Sequence, residues 1–122
     1  MGSHIAASIK RNTDYNTLLI DNRAELLPHT HRYGDAVINS DYVSREAFNA
    51  ISTVHPIAIV HCAASSLVGP SQKDPAKYYN ENVVKLVSFL NFMKHNNYNN
   101  LVFSSSSSVY GDGDGVSPFV EN

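Results

Sequence analysis

The sequence predicts an α/β fold built on a doubly wound parallel sheet. Short apolar runs alternate with amphipathic segments along the chain, beginning in the order helix, strand, strand, helix, strand. Two of the apolar runs end in small or polar side chains, VHCAAS from Val60 and LVFSSSSSVYG from Leu101. Because ligands of open α/β sheets bind beyond the carboxyl ends of the strands, these two ends predict one shared crevice.

The amino-terminal half is predicted to hold a short helix, a strand, a weaker strand, a second helix and a buried strand. Ser44 is well placed to cap the second helix, and His55-Pro56 to end it. The last strand is apolar almost throughout, as buried strands of parallel sheets are. In chain order these elements are Ile5 to Ile9, Thr17 to Ile20, Ala36 to Asn39, Arg45 to Thr53 and Ile57 to His61.

The carboxyl-terminal half is predicted to hold a loop, a long helix and a strand. Gly69 and Pro70 indicate a loop from Ala64 to Lys73, and Asp74-Pro75 is typical of a helix start. The helix should run to about His95, with one apolar face packed on the sheet. The face comprises Tyr79, Val83, Leu86, Leu90 and Met93, and the strand that follows is Leu101 to Ser104.

The composition is that of an ordinary globular chain with a small-molecule ligand. The 122 residues are 43% hydrophobic and 16% charged with a net charge of -2, which suits a single domain over residues 1–122. Lysines and arginines are scattered, so we expect no nucleic-acid partner and no membrane-binding surface. No apolar run approaches the roughly 20 residues of a membrane span, and no leader pattern is evident, so the expected location is cytoplasmic.

Gly2 and Asp21 form the first candidate for cofactor binding. A helix that opens on glycine, followed 19 positions later by an acid at a strand end, has the spacing of a dinucleotide-binding βαβ unit. The motif is incomplete because no strand precedes Gly2. A cloning remnant at Gly2-Ser3-His4 and a plain turn at Asp21-Asn22 therefore stay open as alternatives. Asp21 would repel the 2′-phosphate of NADP and favour NAD, whereas Arg23 would act in the opposite direction.

The five consecutive serines from Ser104 to Ser108 form the second candidate. A flexible linker is the alternative, but linkers do not usually follow Leu-Val-Phe and precede Val-Tyr-Gly. A serine nucleophile would need an elbow such as G-x-S-x-G, which is missing from the sequence. A hydroxyl that binds a sugar hydroxyl or carries its proton is the more economical chemistry.

Metal binding is a weaker alternative. His29-Thr30-His31 brings two imidazoles near each other, but no cluster of Cys, Asp or Glu completes a site, so we predict no metal. His61 ends a buried strand and is expected to be a hydrogen-bonded structural histidine. Cys62 is expected to be a buried packing thiol rather than a nucleophile, because no charge partner for a thiolate is close in sequence.

Several blocks of sequence occur in the order of one known family and span nearly the whole chain. They are Gly2-Ser3-His4, LLIDN from Leu18, Ser40-Asp41, VHCAASSLVGPS from Val60, YYNENV from Tyr78 and FSSSSSVYG from Phe103. With these blocks the chain resembles the amino-terminal part of the UDP-glucose 4-epimerases, within the NAD-dependent epimerase/dehydratase family of extended short-chain dehydrogenases/reductases. Ser107-Ser108 before Val-Tyr-Gly is similar to the epimerase version, whereas related dehydratases and decarboxylases usually carry an acid there.

The resemblance implies a set of residues that bind NAD and one that meets the UDP-sugar substrate. NAD would lie against Gly2, with its adenosine held by Asp21, Asn22, Asp41 and Tyr42. Its remainder would contact Cys62, Ala63, Ala64, Ser66 and Asn82, with Ser104 and Ser105 near the nicotinamide. Ser106 would be the catalytic serine that bridges the 4-hydroxyl of the sugar.

The implied reaction interconverts UDP-glucose and UDP-galactose through a 4-keto sugar. The chain departs from the family pattern in having Cys62 for a usual Phe, Ser66 for a lysine that contacts the cofactor ribose, and Pro70 for a frequent acid. The Y-x-x-x-K pair of the family is also missing, since Asp114 stands four residues after Tyr110.

These departures lead us to expect a fragment that is inactive alone. Its fold would be an incomplete Rossmann-like sheet lacking its first strand, with Thr17 to Ile20 and Ile57 to His61 on either side of the gap. The alternatives are another NAD-dependent nucleotide-sugar epimerase or dehydratase and a noncatalytic NAD-binding relative. Family members commonly pair through helices equivalent to Asp74 to His95, so a homodimer of the full-length enzyme is a further expectation.

Overall fold

The computed structural model describes residues 1–23 and 30–106. Within these residues helices alternate with parallel strands, which confirms the predicted α/β class. His29 and the segment 107–111 lie outside the described residues. The metal alternative and the Ser107-Ser108 signature therefore stay predictions.

The strands form two separate parallel pairs. Strand β1 (Leu18–Ile20) pairs with β2 (Ala36–Ile38), and β3 (Ile59–His61) pairs with β4 (Leu101–Phe103). Among the described residues β1 and β3 are not hydrogen-bonded to each other, so the two pairs do not merge into one sheet. The expected gap between these two strands is confirmed.

Strand β3 is shorter and more exposed than the sequence predicts. Ile57 precedes the strand instead of opening it, and Val60 within it is 38% exposed. The apolar run had indicated cover on both faces. Cover by the described residues is strongest around His61, whose ring lies among aromatic side chains.

The helix directly before β3 begins and ends at local capping residues. Helix α3 (Arg45–Val54) begins where predicted, because the Ser44 hydroxyl accepts a hydrogen bond from the Ala47 amide at 3.0 Å. His55, at a left-handed φ of 47°, ends it. The other two helices are α1 (Gly2–Asn12), which extends the predicted Ile5 to Ile9 at both ends, and α2 (Thr30–Tyr33).

The predicted loop from Ala64 to Lys73 is wrong in its second half. Residues Val68–Lys73 form helix α4, and α5 (Pro75–Tyr79) follows after Asp74, which caps α5 by accepting from the Lys77 amide at 3.2 Å. Pro70 is compatible with α4 because it lies in the first turn, where a backbone N–H has no intrahelical acceptor. Gly69 and Pro70 indicate a loop only where they would fall in a helix interior, and here both lie in the first turn of α4.

The long helix contains a π-helical segment, and its buried face matches the predicted one only in part, at Met93. The π segment (Asn80–Val84) joins α5 to α6 (Lys85–His95). Phe89 and Met93 are the buried residues of α6 and belong to the core with Ile51 of α3. Of the predicted face, Tyr79, Val83 and Leu90 are exposed, Tyr79 by 69%. Leu90 follows Phe89 by one residue and therefore points about 100° away from it.

Among residues 1–23 and 30–106, no helix has both the length and the apolar character that crossing a membrane would require. The longest uninterrupted α-helices are α1 and α6, of 11 residues each.

Candidate functional site

A cleft of about 510 Å³ opens at the carboxyl ends of three strands, β1, β2 and β3. Asp21 and Asn22 follow β1, Ser40 and Asp41 follow β2, and the segment 62–67 follows β3. The residues after β1 and β2 form one wall of the cleft, and the segment 62–67 forms a second. The third wall comes from α5 and the π segment. Among the described residues the lining of the cleft is Ile20, Asp21, Asn22, Arg23, Ser40, Asp41, Tyr42, Cys62, Ala63, Ala64, Ser65, Ser66, Leu67, Tyr78 and Glu81.

Most of the sequence-predicted cofactor residues line this cleft together. The eight that do so are Asp21, Asn22, Asp41, Tyr42, Cys62, Ala63, Ala64 and Ser66. Cys62 is half-buried and lines the cleft, so the expectation of a buried thiol is wrong in its degree of burial. The lining does not include the other predicted residues, which are Gly2, Asn82, Ser104, Ser105 and Ser106.

Gly2 and Ser104 lie next to the end of β3. A Cβ atom added to Gly2 would stand 3.7 Å from the Cys62 Cβ, an ordinary contact, so the start of α1 rests against this strand end. The Ser104 amide donates to the His61 carbonyl at 3.0 Å, and its hydroxyl lies 3.1 Å from the Met1 sulfur. Ser105 and Ser106 are exposed after this point.

The two acids at the ends of β1 and β2 are held by local backbone amides. Asp21 Oδ1 accepts from the Arg23 amide at 2.8 Å, and Asp41 Oδ1 accepts from the Val43 amide at 3.1 Å. Asx turns of this kind fix the carboxylate beside its own strand end. Both carboxylates therefore have a set orientation at the same wall of the cleft.

Lys85 binds one carboxylate from each of two walls, Asp41 after β2 and Glu81 in the π segment. Its Nζ donates to Asp41 Oδ2 at 2.5 Å and to Glu81 Oε2 at 2.6 Å. Burial raises the pKa of Asp41, but the hydrogen bonds from Lys85 and the Val43 amide outweigh it, so the net shift is downward. Burial lowers the pKa of Lys85, and the bonds to both carboxylates more than reverse this.

Tyr42 lines the cleft, and the His61 ring packs against it from the core. The Tyr42 ring meets His61 edge-on at 4.9 Å and Phe89 at 5.5 Å, and its hydroxyl donates to the Glu81 carbonyl at 3.4 Å. Burial, followed by the nearby Asp41 charge, raises the pKa of Tyr42. Burial lowers the pKa of His61, which is 8% exposed. It is a buried histidine as expected, but its Nε2 has no hydrogen-bond partner among the described residues.

Asn82 holds the segment that follows β3. Its Oδ1 accepts from the Ser65 amide at 2.8 Å, and its Nδ2 donates to the Ser65 carbonyl at 2.8 Å. The amide thus acts as a backbone-like partner for Ser65, whose neighbours form the rim of the cleft. Asn82 reaches the site through this segment.

Sequence reasoning missed Lys85, Glu81 and Tyr78 as parts of the site. Glu81 and Lys85 stand four residues apart, the spacing of a helical ion pair, and this was the one signal available. The link from Lys85 to Asp41 spans 44 residues and depends on how α6 packs against the end of β2.

Comparisons with known proteins agree with this geometry. The family model for the NAD dependent epimerase/dehydratase family matches residues 1–122. The bifunctional protein GAL10 of Pachysolen tannophilus is 36% identical over 92% of the chain, and the UDP-glucose 4-epimerase of Yersinia pestis is 32% identical over 100%. The chain spans 17% and 38% of the lengths of these two relatives.

Solved structures give the same result. The UDP-glucose 4-epimerase of Brucella ovis, in complex with NAD, superposes with a TM-score of 0.76 at 32% identity, covering 90% of this chain and 34% of that one. The enzyme from Stenotrophomonas maltophila, with bound NAD and formylated UDP-arabinopyranose, gives 0.81 at 27% identity, over 93% of this chain and 36% of that one. The resemblance inferred from the sequence is confirmed, and the chain belongs to the NAD dependent epimerase/dehydratase family.

Proposed function

We propose that this chain is the NAD-binding part of a UDP-glucose 4-epimerase, which interconverts UDP-glucose and UDP-galactose. The observation that carries the proposal is the cleft between the two strand pairs. It combines acids that can bind a ribose or an adenine, after β1 and β2, with small side chains that leave room for a cofactor, after β3.

The residues present fit an adenosine dinucleotide. Asp21 has its Oδ1 bound to the Arg23 amide, so its second oxygen is aimed as an acceptor for ribose hydroxyls. The volume of about 510 Å³ lies in the range of ligand pockets. Ala63 and Ala64 present no bulky group to the middle of the cleft. A negative charge on Asp21 disfavours a 2′-phosphate, which supports NAD over NADP.

NAD, when bound, exchanges a hydride with carbon 4 of the sugar. The role we assign to Ser106 is to hold the 4-hydroxyl and pass on its proton as the 4-keto sugar forms and is reduced again. Ser105 and Ser106 follow β4 at the same edge as the cleft.

We also propose that these 122 residues do not catalyse epimerisation alone. No tyrosine of the sequence is followed four residues later by a lysine. The general base of the family is therefore missing from this chain, and a loss of roughly 10²- to 10⁴-fold in rate is expected for that group alone.

Calorimetric titration of the purified chain with NAD and NADP tests the proposal. We expect NAD to bind, Asp21→Ala to weaken NAD about tenfold and to narrow the preference over NADP, and Asp14→Ala to change neither. Asp14 is an exposed acid in the turn between α1 and β1, which makes it a matched control. No heat at millimolar NAD, or tighter binding of NADP, would contradict the proposal.

The expected homodimer requires an interface, and one exposed helix face is a candidate for it. Tyr79, Val83, Val87 and Leu90 leave an apolar stripe exposed along α5, the π segment and α6. We propose that a second copy of the full-length enzyme covers it. Sedimentation of the full-length protein should give a dimer that Val83→Glu dissociates, and a monomer at micromolar concentration would refute this.

A further inference from the structure

Lys85 occupies a position in the site that none of the sequence motifs indicated. Its side chain is 19% exposed, although the residues around it on α6 include strongly exposed apolar side chains. The Nζ atom reaches back across the third wall to Asp41, 44 residues earlier, and along the helix to Glu81. A partly buried lysine that joins two wall acids is a feature that requires a physical explanation.

The charge balance of the wall gives the first part of that explanation. Asp21, Asp41 and Glu81 all line the cleft, and within residues 1–23 and 30–106 Arg23 is the one cation in that lining. Without Lys85, Asp41 and Glu81 would face each other as like charges close to the place where a nucleotide would bind. Lys85 forms ion pairs with both acids but is not itself part of the lining, so it neutralises the pair without occupying the cleft.

The geometry of Asp41 gives the second part. Oδ1 accepts from the Val43 amide and Oδ2 accepts from Lys85 Nζ, so both oxygens are fixed. A carboxylate oxygen has two acceptor positions, and each oxygen therefore keeps one for a ligand. The pair of bonds orients the carboxylate without using up its capacity.

We propose that Lys85 is a positioning residue for the cofactor, which fixes Asp41 as an ionised and oriented acceptor for the amino or hydroxyl groups of the adenosine. This inference rests on the proposed function, since it assumes that NAD binds in this cleft. Lys85 would not touch NAD itself. Its effect would be transmitted through Asp41, which makes the two residues thermodynamically coupled.

The pH dependence of binding follows from the groups around Asp41. Lys85 and Glu81 face it from the helix side, Tyr42 adjoins it in sequence, and Asp21 and Arg23 follow the end of the neighbouring strand β1. In the wild-type chain the lowered pKa of Asp41 keeps it ionised at more acid pH than an ordinary aspartate. Loss of Lys85 leaves burial and the nearby Glu81 charge, which raise that pKa, and the Val43 amide bond, which lowers it, so the pKa should be higher than in the wild-type chain. The acid limit of NAD binding should then move to higher pH.

Titration of NAD into the purified chain between pH 4 and pH 8 tests this inference. The variants are Lys85→Met, Lys85→Arg, Asp41→Asn and the double variant Lys85→Met with Asp41→Asn. Lys94→Met is the matched control, because it removes an exposed lysine from the last turn of the same helix. Urea unfolding of each variant establishes that it is folded at the temperature of the titration.

We expect Lys85→Met to raise the Kd for NAD about three- to tenfold at pH 7 and to shift the acid limit of binding upward. Lys85→Arg should recover most of the affinity, and Lys94→Met should change nothing. In the Asp41→Asn background, Lys85→Met should have little further effect. That non-additivity, together with the pH shift, distinguishes positioning from a general loss of stability.

Equal affinity and equal pH profiles for wild-type and Lys85→Met would overturn the inference about Lys85 and leave the proposed function intact. Full additivity with Asp41→Asn would also overturn it, because Lys85 would then act by another route. A wild-type chain that is folded but does not bind NAD would overturn the proposed function, and this inference with it.

Discussion

Asn82→Ala should loosen the rim of the cleft although the Asn82 side chain is not part of the lining. The wild-type amide makes two hydrogen bonds of 2.8 Å to the backbone of Ser65, 17 residues away, in a partly buried setting. At about 0.5–1.5 kcal/mol for each bond, their loss should lower the free energy of unfolding by about 2 kcal/mol. Because the segment 62–67 forms one wall of the cleft, NAD binding should weaken as well.

The Asn82→Asp variant distinguishes the contribution of the accepted hydrogen bond from that of the donated one. The carboxylate can still accept from the Ser65 amide, but it cannot donate to the Ser65 carbonyl, which it would face as a second acceptor. We expect a loss of about 1–2 kcal/mol, with the Ser65 amide still protected from hydrogen exchange. In Asn82→Ala that amide should exchange faster than in the wild-type chain.

Urea unfolding followed by circular dichroism measures the stabilities, and amide exchange by NMR measures the protection of Ser65. Asn80→Ala is the control, since Asn80 lies in the same π segment and is exposed. The reasoning fails if Asn82→Ala unfolds within about 0.5 kcal/mol of wild-type, or if Asn80→Ala loses as much.

Three further predictions concern the scaffold. His61→Phe should stabilise the chain by about 1 kcal/mol at pH 7 by removing a buried ring nitrogen without a partner among the described residues. Since burial lowers the folded-state pKa of His61, wild-type stability should fall as pH drops below about 6.5, and melting temperatures of the variant should lack that fall. Gly34→Ala should cost about 1–3 kcal/mol in urea, because its new Cβ would meet atoms at 2.9–3.0 Å, whereas Gly69→Ala, with nothing within 4 Å, should cost nothing. Asp35 has a pKa of about 2, because the Thr17 amide and then a lysine bind its carboxylate, so Asp35→Asn should flatten the loss of stability between about pH 4 and pH 2.

The features that sequence reasoning predicted well are those fixed by neighbouring residues. The Ser44 cap, the end of α3 at His55 and the start of α5 after Asp74 each depend on contacts within a few positions. The acids after β1 and β2 could be found because a strand end is visible in the sequence as an apolar run followed by a polar pair. Parallel pairing then brings such ends to one edge.

The features that it missed depend on contacts between distant segments. An apolar pattern on α6 allows more than one face, and the choice of Phe89 over Leu90 is made by aromatic partners on other elements, Tyr42 and Phe48. The link between Lys85 and Asp41 has the same origin. Neither could be derived from periodicity, because periodicity describes a helix without its neighbours.

The π-helical segment connects these observations. Lys85 N donates to the carbonyl of Asn80, five residues earlier, so this turn holds about one residue more than an α-helical turn. Compared with a continuous α-helix, the extra residue rotates α5 relative to α6 by roughly the angle of one position, about 100°. The rotation lets Tyr78 and Glu81 line the cleft while Phe89 remains in the core. Asn82 lies inside the widened turn and Lys85 directly after it, so the two side chains that organise the cleft from behind are located at the irregularity. A regular helix would bury the same core residues and would present a different set of side chains to the site.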